Sequence, residues 1–433
     1  MAVPWWRLRV VLIMAKIFEA TGQLITSGLH PSLPDSEVPL WRDGDNIVFT
    51  EQSARPGLGQ FPLFAFLDAG RGLGIIEHEI EYATQSLKYA FWGTRTKLWM
   101  GVDPTNTLGS VTPVDVTRAA GVYTGTRDDL WSIASFGTVV IATNGVDEVQ
   151  VLVPSGEPNS ALFVNLSTVS DLPDTFRAKL VAVSGPFILF FNTDNSNQEV
   201  RWGDEDSFAT FQPASDNFAR DLIIRDIQSD IRAVLDLGGG LAMYGRDQVH
   251  WVQFAGPPFF FQTDHLLSGV GAVGKHSVVA VGRQHYGFGP TGIYVTDGSG
   301  FEYIDKPSIH DYIYGKLDVL LANRVIGWED QKQEMVFWSF PTITGIGETV
   351  GFNYRTGAWG KYGYYRTAAV ASAVFNSPLL IDTNGSVLVQ GGSGGVSGGN
   401  PIVLTTTGAF SIGYGYGGYG IGRYGGNYPT VEE

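Results

Sequence analysis

The densest group of acidic residues lies in residues 199–213, EVRWGDEDSFATFQP, where Asp204, Glu205 and Asp206 are consecutive. Paired carboxylates can act as acid and nucleophile in glycoside hydrolysis, and carboxylates at alternate positions can ligate Ca²⁺. Neighbouring residues of a strand point to opposite faces, however, so consecutive carboxylates are poorly placed to act on one bond. Asp204 and Asp206 have the alternate spacing, but the glycine-containing loop of a Ca²⁺ site does not accompany them. The pattern favours an acidic turn between two strands, with a metal site as the alternative.

Other motifs that carry chemistry are missing or out of context. The chain has no H-E-x-x-H sequence and no P-loop, and no two of its seven histidines have the spacing of metal ligands on a helix. GVGAVG at 269–274 matches a dinucleotide fingerprint in letters but lacks the βαβ context. WGDEDSFATF is similar to the Asp-box turn of sialidase-type propellers, yet no arginine spacing marks the triad of a sialidase site. We therefore predict no catalytic residue, no metal and no cofactor, and a protein that is not an enzyme.

The composition favours short strands joined by tight turns and argues against tight binding to nucleic acid. Charged residues make up 16% of the 433 residues and aromatic residues 13%, with 56 glycines. Typical proteins have about 25% charged residues and about 7% glycine. The net charge is −15 and Lys and Arg form no run, whereas proteins that bind phosphates carry a basic patch. There is no cysteine for a disulfide or thiolate metal site, and no stretch approaches the ~18 apolar residues of a membrane span.

The sequence predicts a repeated pattern of β-strands, and these strands must position any site. About seven segments between Leu87 and Gly392 contain an apolar strand, a turn, a second apolar strand ending in an aromatic residue, and a polar edge strand. Their spacing is close to the ~40–50 residues of propeller blades. Such a unit buries both sheet faces only when blades pack radially. We predict an all-β fold, a β-propeller of about six to eight blades, with a pair of β-sandwiches as the alternative. The best helical candidate is Ile309–Leu321, which Gly315 interrupts.

The predicted organisation is a loop-rich N-terminal segment (1–87) that closes the propeller or contacts neighbours, the propeller (88–391) and a Gly/Ser/Tyr-rich tail (392–433). Residues 1–13 are interpreted as an upstream start or a short extended arm. The tail is expected to be disordered or ordered by a partner, and its tyrosines can anchor in grooves of a neighbouring subunit. The candidates for such contacts are Tyr414, Tyr416, Tyr419 and Tyr424.

Phe259, Phe260 and Phe261 follow two prolines and cannot all face one core from a strand. We expect at least two of them in the core, with the remainder a candidate for a contact between subunits or domains.

Several motifs, taken in order, resemble phage packaged-DNA stabilisation proteins, also called tail hub or nozzle proteins. WRDGDNIVFTEQSARPGLG (41–59) is similar to their opening segment, and EVRWGDEDSFATFQP to a blade ending in which Gly203 stands where Ser is usual and Phe211 where Trp is usual. Residues 240–278 and 292–313 continue the likeness, with Ala272 in place of an expected Cys. The matching positions are Trp41, Asn46, Arg55, Pro56, Gly57, Arg201, Trp202, Asp204, Trp251 and Gly256.

The resemblance spans roughly 41–391 and implies a structural virion protein of a phage tail, assembled in the host cytoplasm. The implied partners are itself, as a ring that is usually sixfold, the portal and adaptor, and fibres or a tail needle. The ring would continue the DNA channel and retain packaged double-stranded DNA without gripping it tightly, with no membrane involved. Asp204, Glu205 and Asp206 would then add negative field to a channel or rim. The alternative function is a glycan-binding or sialidase-like propeller used in host recognition.

Overall fold

The structure is a computed structural model that describes residues 28–32, 41–51, 54–57, 59–65, 70–81, 86–103, 112–153, 161–306, 308–391, 403–406 and 411–413. Before the first blade, the described chain forms β1 (Trp41–Gly44), β2 (Ile47–Phe49), β3 (Ala54–Pro56) and β4 (Gln60–Pro62).

The described residues that follow form seven four-stranded antiparallel sheets, the last completed by β4. Blade 1 contains β5 (Gly74–Glu81), β6 (Ser86–Gly93), β7 (Leu98–Asp103) and β8 (Val114–Asp115). Blade 2 contains β9 (Ser132–Phe136), β10 (Val139–Thr143), β11 (Gln150–Leu152) and β12 (Val164–Asn165). Blade 3 contains β13 (Ala178–Ser184), β14 (Phe187–Thr193), β15 (Glu199–Trp202) and β16 (Arg220–Ile223). Blade 4 contains β17 (Ala233–Leu237), β18 (Gly240–Tyr244), β19 (Gln248–Gly256) and β20 (Phe260–Ser268).

Blade 5 contains β21 (Val278–Val281), β22 (Gln284–Phe288), β23 (Ile293–Thr296) and β24 (Phe301–Tyr303). Blade 6 contains β25 (Ile326–Asp330), β26 (Met335–Phe340), β27 (Glu348–Asn353) and β28 (Trp359–Tyr362). Blade 7 contains β29 (Ala368–Val370), β30 (Leu379–Ile381) and β31 (Val387–Gln390), with β4 as its outermost strand. The first strands of the blades contact one another in a closed circle, from β5 through β29 and back to β5. The prediction of a propeller with six to eight blades is confirmed.

The apolar runs of the sequence become the second strands of the blades. Every residue of β10, β14, β18 and β26 is buried. A blade has a neighbour packed on each face, so its central strands need apolar side chains on both faces and lose the apolar–polar alternation of a half-exposed strand. Tight turns connect them to the first strands, as at Gly185, whose φ of +55° suits glycine.

The circle is closed by a strand from the predicted N-terminal segment. β4 pairs antiparallel with β31, with Gln60 opposite Gln390. The guanidinium of Arg366, which is almost fully buried, donates from Nε to Oε1 of Gln60 at 2.9 Å and so ties β4 to the start of β29. The boundary placed after residue 87 falls within β6, and blade 1 begins at Gly74.

The helical candidate is shorter than predicted. α1 covers only His310–Tyr314, and the chain turns again as a 3₁₀-helix at Val319–Arg324, with a further 3₁₀-helix at Leu166–Thr168. Gly315 follows α1 directly. Leu317 N still donates back to Ile313 O at 2.9 Å, whereas Asp318 N donates to Pro341 O of the neighbouring loop at 3.0 Å. None of the described helices is long and apolar enough to span a membrane.

Two short strands lie in the predicted tail. β32 (Val403–Thr406) pairs with β1, and β33 (Ser411–Gly413) pairs with β32. β1 lies beside β28, so this small sheet is on the outer side of blade 6. Tyr414, Tyr416, Tyr419 and Tyr424, the candidates for subunit contacts, and residues 1–13 lie outside the described residues.

Candidate interaction site

The two ends of the propeller carry different connections, which decide where each candidate residue lies. At the lower face, the first strand of each blade turns into the second, and in blades 1 to 6 the third strand turns into the outermost. At the upper face, the second strand turns into the third and each blade connects to the next. The loop 203–219 of blade 3 and the β19–β20 tip of blade 4 are therefore on the lower face.

The acidic cluster is a turn in the lower-face loop that joins β15 to β16. Asp204 N donates to Thr210 O at 2.8 Å, and Asp204 Oδ1 accepts from Phe218 N at 2.9 Å. Asp206 has a φ of +53°, which Asp tolerates better than most residues. In the described part of the chain, no group of three or more His, Cys, Asp or Glu side chains is arranged to hold a metal ion.

The neighbouring family-like residues anchor this loop to its blade. Trp202 is buried and its Nε1 donates to Phe218 O at 2.8 Å. Arg201 donates from Nη2 to Phe211 O at 3.2 Å, and its guanidinium lies 5.7 Å from the Phe176 ring centroid. Each of these contacts holds the loop in place, so we assign these side chains a structural role.

The family-like residues near the N-terminus form another turn. Asn46, at φ +54°, donates its backbone N–H to Lys361 O at 2.8 Å, and its carbonyl accepts from Gly57 N at 2.8 Å. A Cβ on Gly57 would lie 2.3 Å from Asn46 Oδ1, which explains the glycine. Trp41 is buried beside this turn, and Arg55 and Pro56 are part of β3.

The long hairpin of blade 4 presents aromatic side chains at the edge of the propeller. Phe260 and Phe261 are buried, which confirms that at least two of the three phenylalanines are in the core. Phe259 is 66% exposed and Phe254 is 47% exposed, the latter stacked on Phe187 of blade 3 at 5.0 Å between ring centroids. Gly256, at φ +74°, makes the turn that separates these two exposed rings.

A groove of about 490 Å³ runs between the outermost strands of blades 3 and 4 beside this hairpin. Trp202 and Phe261 are its buried residues, and Phe259 is its exposed aromatic residue. The remaining lining residues are Arg220, Asp221, Leu222, Pro258, Gln262, Thr263 and Asp264. The arrangement combines aromatic surface with carboxylate and amide groups. It can therefore bind a ligand that has an aromatic or other flat surface and also carries several hydrogen-bond donors.

At the upper face, side chains from opposite blades bond across the axis. His276 Nε2 lies 2.9 Å from the carbonyl oxygen of Trp131, and Lys275 Nζ donates to Leu130 O. His276 must carry its proton on Nε2, because a carbonyl can only accept. These residues precede the first strands of blades 5 and 2, which are not neighbours, so the contacts span the channel. An ion pair between Arg324 Nε and Asp128 Oδ1, at 2.7 Å, makes a further connection between distant blades.

Burial at this contact across the channel favours the neutral forms of both Lys275 and His276. Desolvation, aided by the positive charge of Lys179 and opposed by Asp129, lowers the pKa of Lys275 to about 7. Desolvation, aided by the charge of Lys275, lowers the pKa of His276 to about 4, against the bond to Trp131. Sequence reasoning missed this crossing, because nothing in GKHS indicates which distant carbonyls its side chains reach.

A second feature that sequence reasoning missed is an aliphatic patch on the upper face of blade 6. Val319 and Leu320 are 74% and 90% exposed, and Ile343 and Ile346 are 68% and 73% exposed. The two segments are joined by the bond from Ile343 N to Lys316 O at 2.9 Å. Apolar residues within the polar loop PTITGIGE were the available signal.

No family model matches the chain, and no curated protein matches it. Among solved structures, the Pan2 WD40 domain of Neurospora crassa is 10% identical, with 79% of this chain and 98% of that chain covered and a TM-score of 0.45. The WD40 domain of Toxoplasma gondii coronin is 10% identical over 77% of this chain and 83% of that chain, with a TM-score of 0.41. A putative 6-phosphogluconolactonase from Bacteroides uniformis is 12% identical over 79% and 96%, with a TM-score of 0.42. Similarity this low assigns no activity to this chain.

Proposed function

We propose that this chain is a structural subunit of a phage tail, a hub or nozzle that forms a ring below the portal and adaptor. The ring continues the DNA channel, retains packaged DNA and offers docking surfaces to fibres or a needle. The ordered motifs between 41 and 391 supply the family expectation. The observation that carries the proposal in the structure is the aromatic hairpin and groove at the edge of blades 3 and 4.

The hairpin has the character of a subunit contact. Phe254 and Phe259 are exposed on one edge of the propeller, and clustered exposed aromatic surface is characteristic of protein interfaces. A ring closes through heterologous contacts, in which one surface of a subunit meets a different surface of the next. The groove supplies one such surface.

The propeller axis is a poor path for DNA. Lys275, His276 and Arg324 connect opposite blades across the upper face, so the bore there is narrower than a duplex. In the proposed assembly the duplex therefore passes through the centre of the ring, between subunits. The net charge of −15 suits a channel through which DNA slides without being bound tightly, because binding to DNA phosphates depends on contacts from Lys and Arg. The turn at Asp204–Asp206 adds negative charge to the lower face.

The test is the mass of the full chain in solution by sedimentation and native mass spectrometry. The wild type should form a closed ring at micromolar concentration. Phe259→Ser should weaken assembly by about tenfold or more, because an exposed aromatic anchor is lost. Leu320→Ser is the matched control, since Leu320 is exposed on the other face and its loss should leave the ring intact. A wild-type chain that stays monomeric would refute the proposal.

The same groove favours one alternative, a glycan-binding propeller. Phe259 can stack on a sugar ring while Asp221, Gln262 and Asp264 accept or donate hydrogen bonds. This alternative predicts a monomer that binds on a saccharide array and loses binding in Phe259→Ser.

A further inference from the structure

The groove between blades 3 and 4 is bordered by two strand edges. Its walls are β16 and β20, the outermost strands of their blades, and each has one edge without a partner strand among the described residues. An unpaired strand edge offers a row of N–H and C=O groups to another extended segment. The groove therefore suits an extended peptide better than a compact ligand.

The side chains of the groove define what such a segment should carry. Phe259 and Pro258 give an exposed apolar wall, and Trp202 and Phe261 give an apolar floor. Asp221 and Asp264 can accept hydrogen bonds from a hydroxyl. A tyrosine satisfies both requirements, because it stacks through its ring and donates from its phenol group.

The tail of the chain has the matching pattern. In SIGYGYGGYGIGRY (411–424), Ile412, Tyr414 and Tyr416 alternate with glycines. Residues at alternate positions of an extended chain share one face, so these three side chains would lie on one face. The glycines between them would leave the other face without side chains. A bare face allows close approach to a strand edge. Arg423 adds a positive charge that complements Asp221 and Asp264, two carboxylates against the single cationic lining residue, Arg220.

The described chain stops where the tail can reach a second subunit. β33 ends at Gly413 in the small sheet outside blade 6, two to three blades away from the groove. Residues 414–433 span at most ~70 Å when fully extended. A tail leaving the outer side of blade 6 can therefore meet the groove of the next propeller in a ring.

We propose that the groove between blades 3 and 4 binds the Gly/Tyr segment 414–424 of a second copy of this chain, as an extended strand with Tyr414 and Tyr416 facing Phe259. The segment would supply the second surface that a heterologous ring contact needs. This inference rests on the proposed ring, but the groove can be tested without assembly.

The first experiment measures binding of a labelled peptide of residues 411–428 by fluorescence anisotropy. The acceptor is the full chain with all five tail tyrosines changed to serine, which keeps its own tail out of the groove; these are Tyr414, Tyr416, Tyr419, Tyr424 and Tyr428. We expect saturable binding that weakens about tenfold or more when the acceptor also carries Phe259→Ser, or when the peptide carries Tyr414→Ser and Tyr416→Ser. Leu320→Ser in the acceptor should leave the affinity unchanged. Absence of binding at about 500 µM, or binding insensitive to Phe259→Ser, would overturn the inference.

The second experiment separates exchange between copies from docking within one copy. The Phe259→Ser chain keeps its tail and the chain without tail tyrosines keeps its groove, so a mixture of the two should form mixed dimers in sedimentation. Peptide binding without mixed dimers would overturn exchange between copies. Peptide binding by the tail-substituted acceptor, together with a wild-type chain that forms no ring, would refute the hub proposal alone. A wild-type ring without peptide binding would overturn this inference alone. Saccharide binding that requires Phe259, without peptide binding, would assign the groove to glycans and overturn it too.

Discussion

Lys275→Met should stabilise the protein at pH 6.5, because Lys275 is mostly charged at that pH and burying its charge costs free energy. Burial lowers its pKa to about 7, whereas a lysine in the unfolded chain titrates near ~10.4. Between these values the unfolded chain binds a proton that the folded chain lacks. The contribution of Lys275 to stability therefore rises with pH across that window, and the full penalty applies below it.

The magnitude follows from the two pKa values. At ~1.4 kcal/mol per unit, the charged side chain costs about 4–5 kcal/mol near pH 6.5 and only about 1 kcal/mol near pH 9.5. This is a ceiling, because Lys275 lines a channel and keeps part of its hydration. The methionine also loses the hydrogen bond to Leu130 O, which is worth about 1–3 kcal/mol. The variant should gain about 2 kcal/mol at pH 6.5, and the gain should vanish by about pH 9.5.

The assay is urea unfolding followed by tryptophan fluorescence for both chains at the two pH values. The informative quantity is the difference in free energy of unfolding between variant and wild type, since other titrating groups cancel in it. Lys179→Met is the second variant, because removing its positive charge should raise the pKa of Lys275 and move the window upwards. If the difference in free energy of unfolding is the same at both pH values, the conclusion that Lys275 is buried with a lowered pKa is refuted.

Three further predictions concern stability. Because the pKa of His276 is lowered to about 4, the free energy of unfolding of the wild type should fall by up to about 3 kcal/mol as pH falls from ~6.5 to ~4. His276→Gln should flatten that loss in acid unfolding curves. Gly93→Ala should cost about 1–3 kcal/mol in urea, because its Cβ would lie 2.1 Å from the Trp131 ring; an unchanged midpoint would contradict this packing. Asp204→Asn with Asp206→Asn should change the free energy of unfolding by less than about 1 kcal/mol and leave assembly intact, since Asn can accept from Phe218 N and tolerates positive φ; loss of saccharide binding would instead favour the glycan alternative.

The fold could be predicted from the sequence where the signals are local. Each blade carries its own apolar strands and glycine turns, so the blade pattern and the burial of two of Phe259–Phe261 followed from short segments. Closure by β4 depends on pairing between Gln60 and Gln390, for which no local pattern exists. The crossing by Lys275 and His276 likewise depends on which blades face each other. The groove joins residues of two blades, and of its lining only the Phe-rich stretch stood out in the sequence.

The most direct test of the central claim is electron microscopy of the purified full chain. The account predicts closed rings, usually sixfold, with a central hole between subunits wide enough for a DNA duplex and with each propeller axis closed at one end. Single propellers without rings, or rings whose only duplex-sized opening runs through a propeller axis, would contradict it.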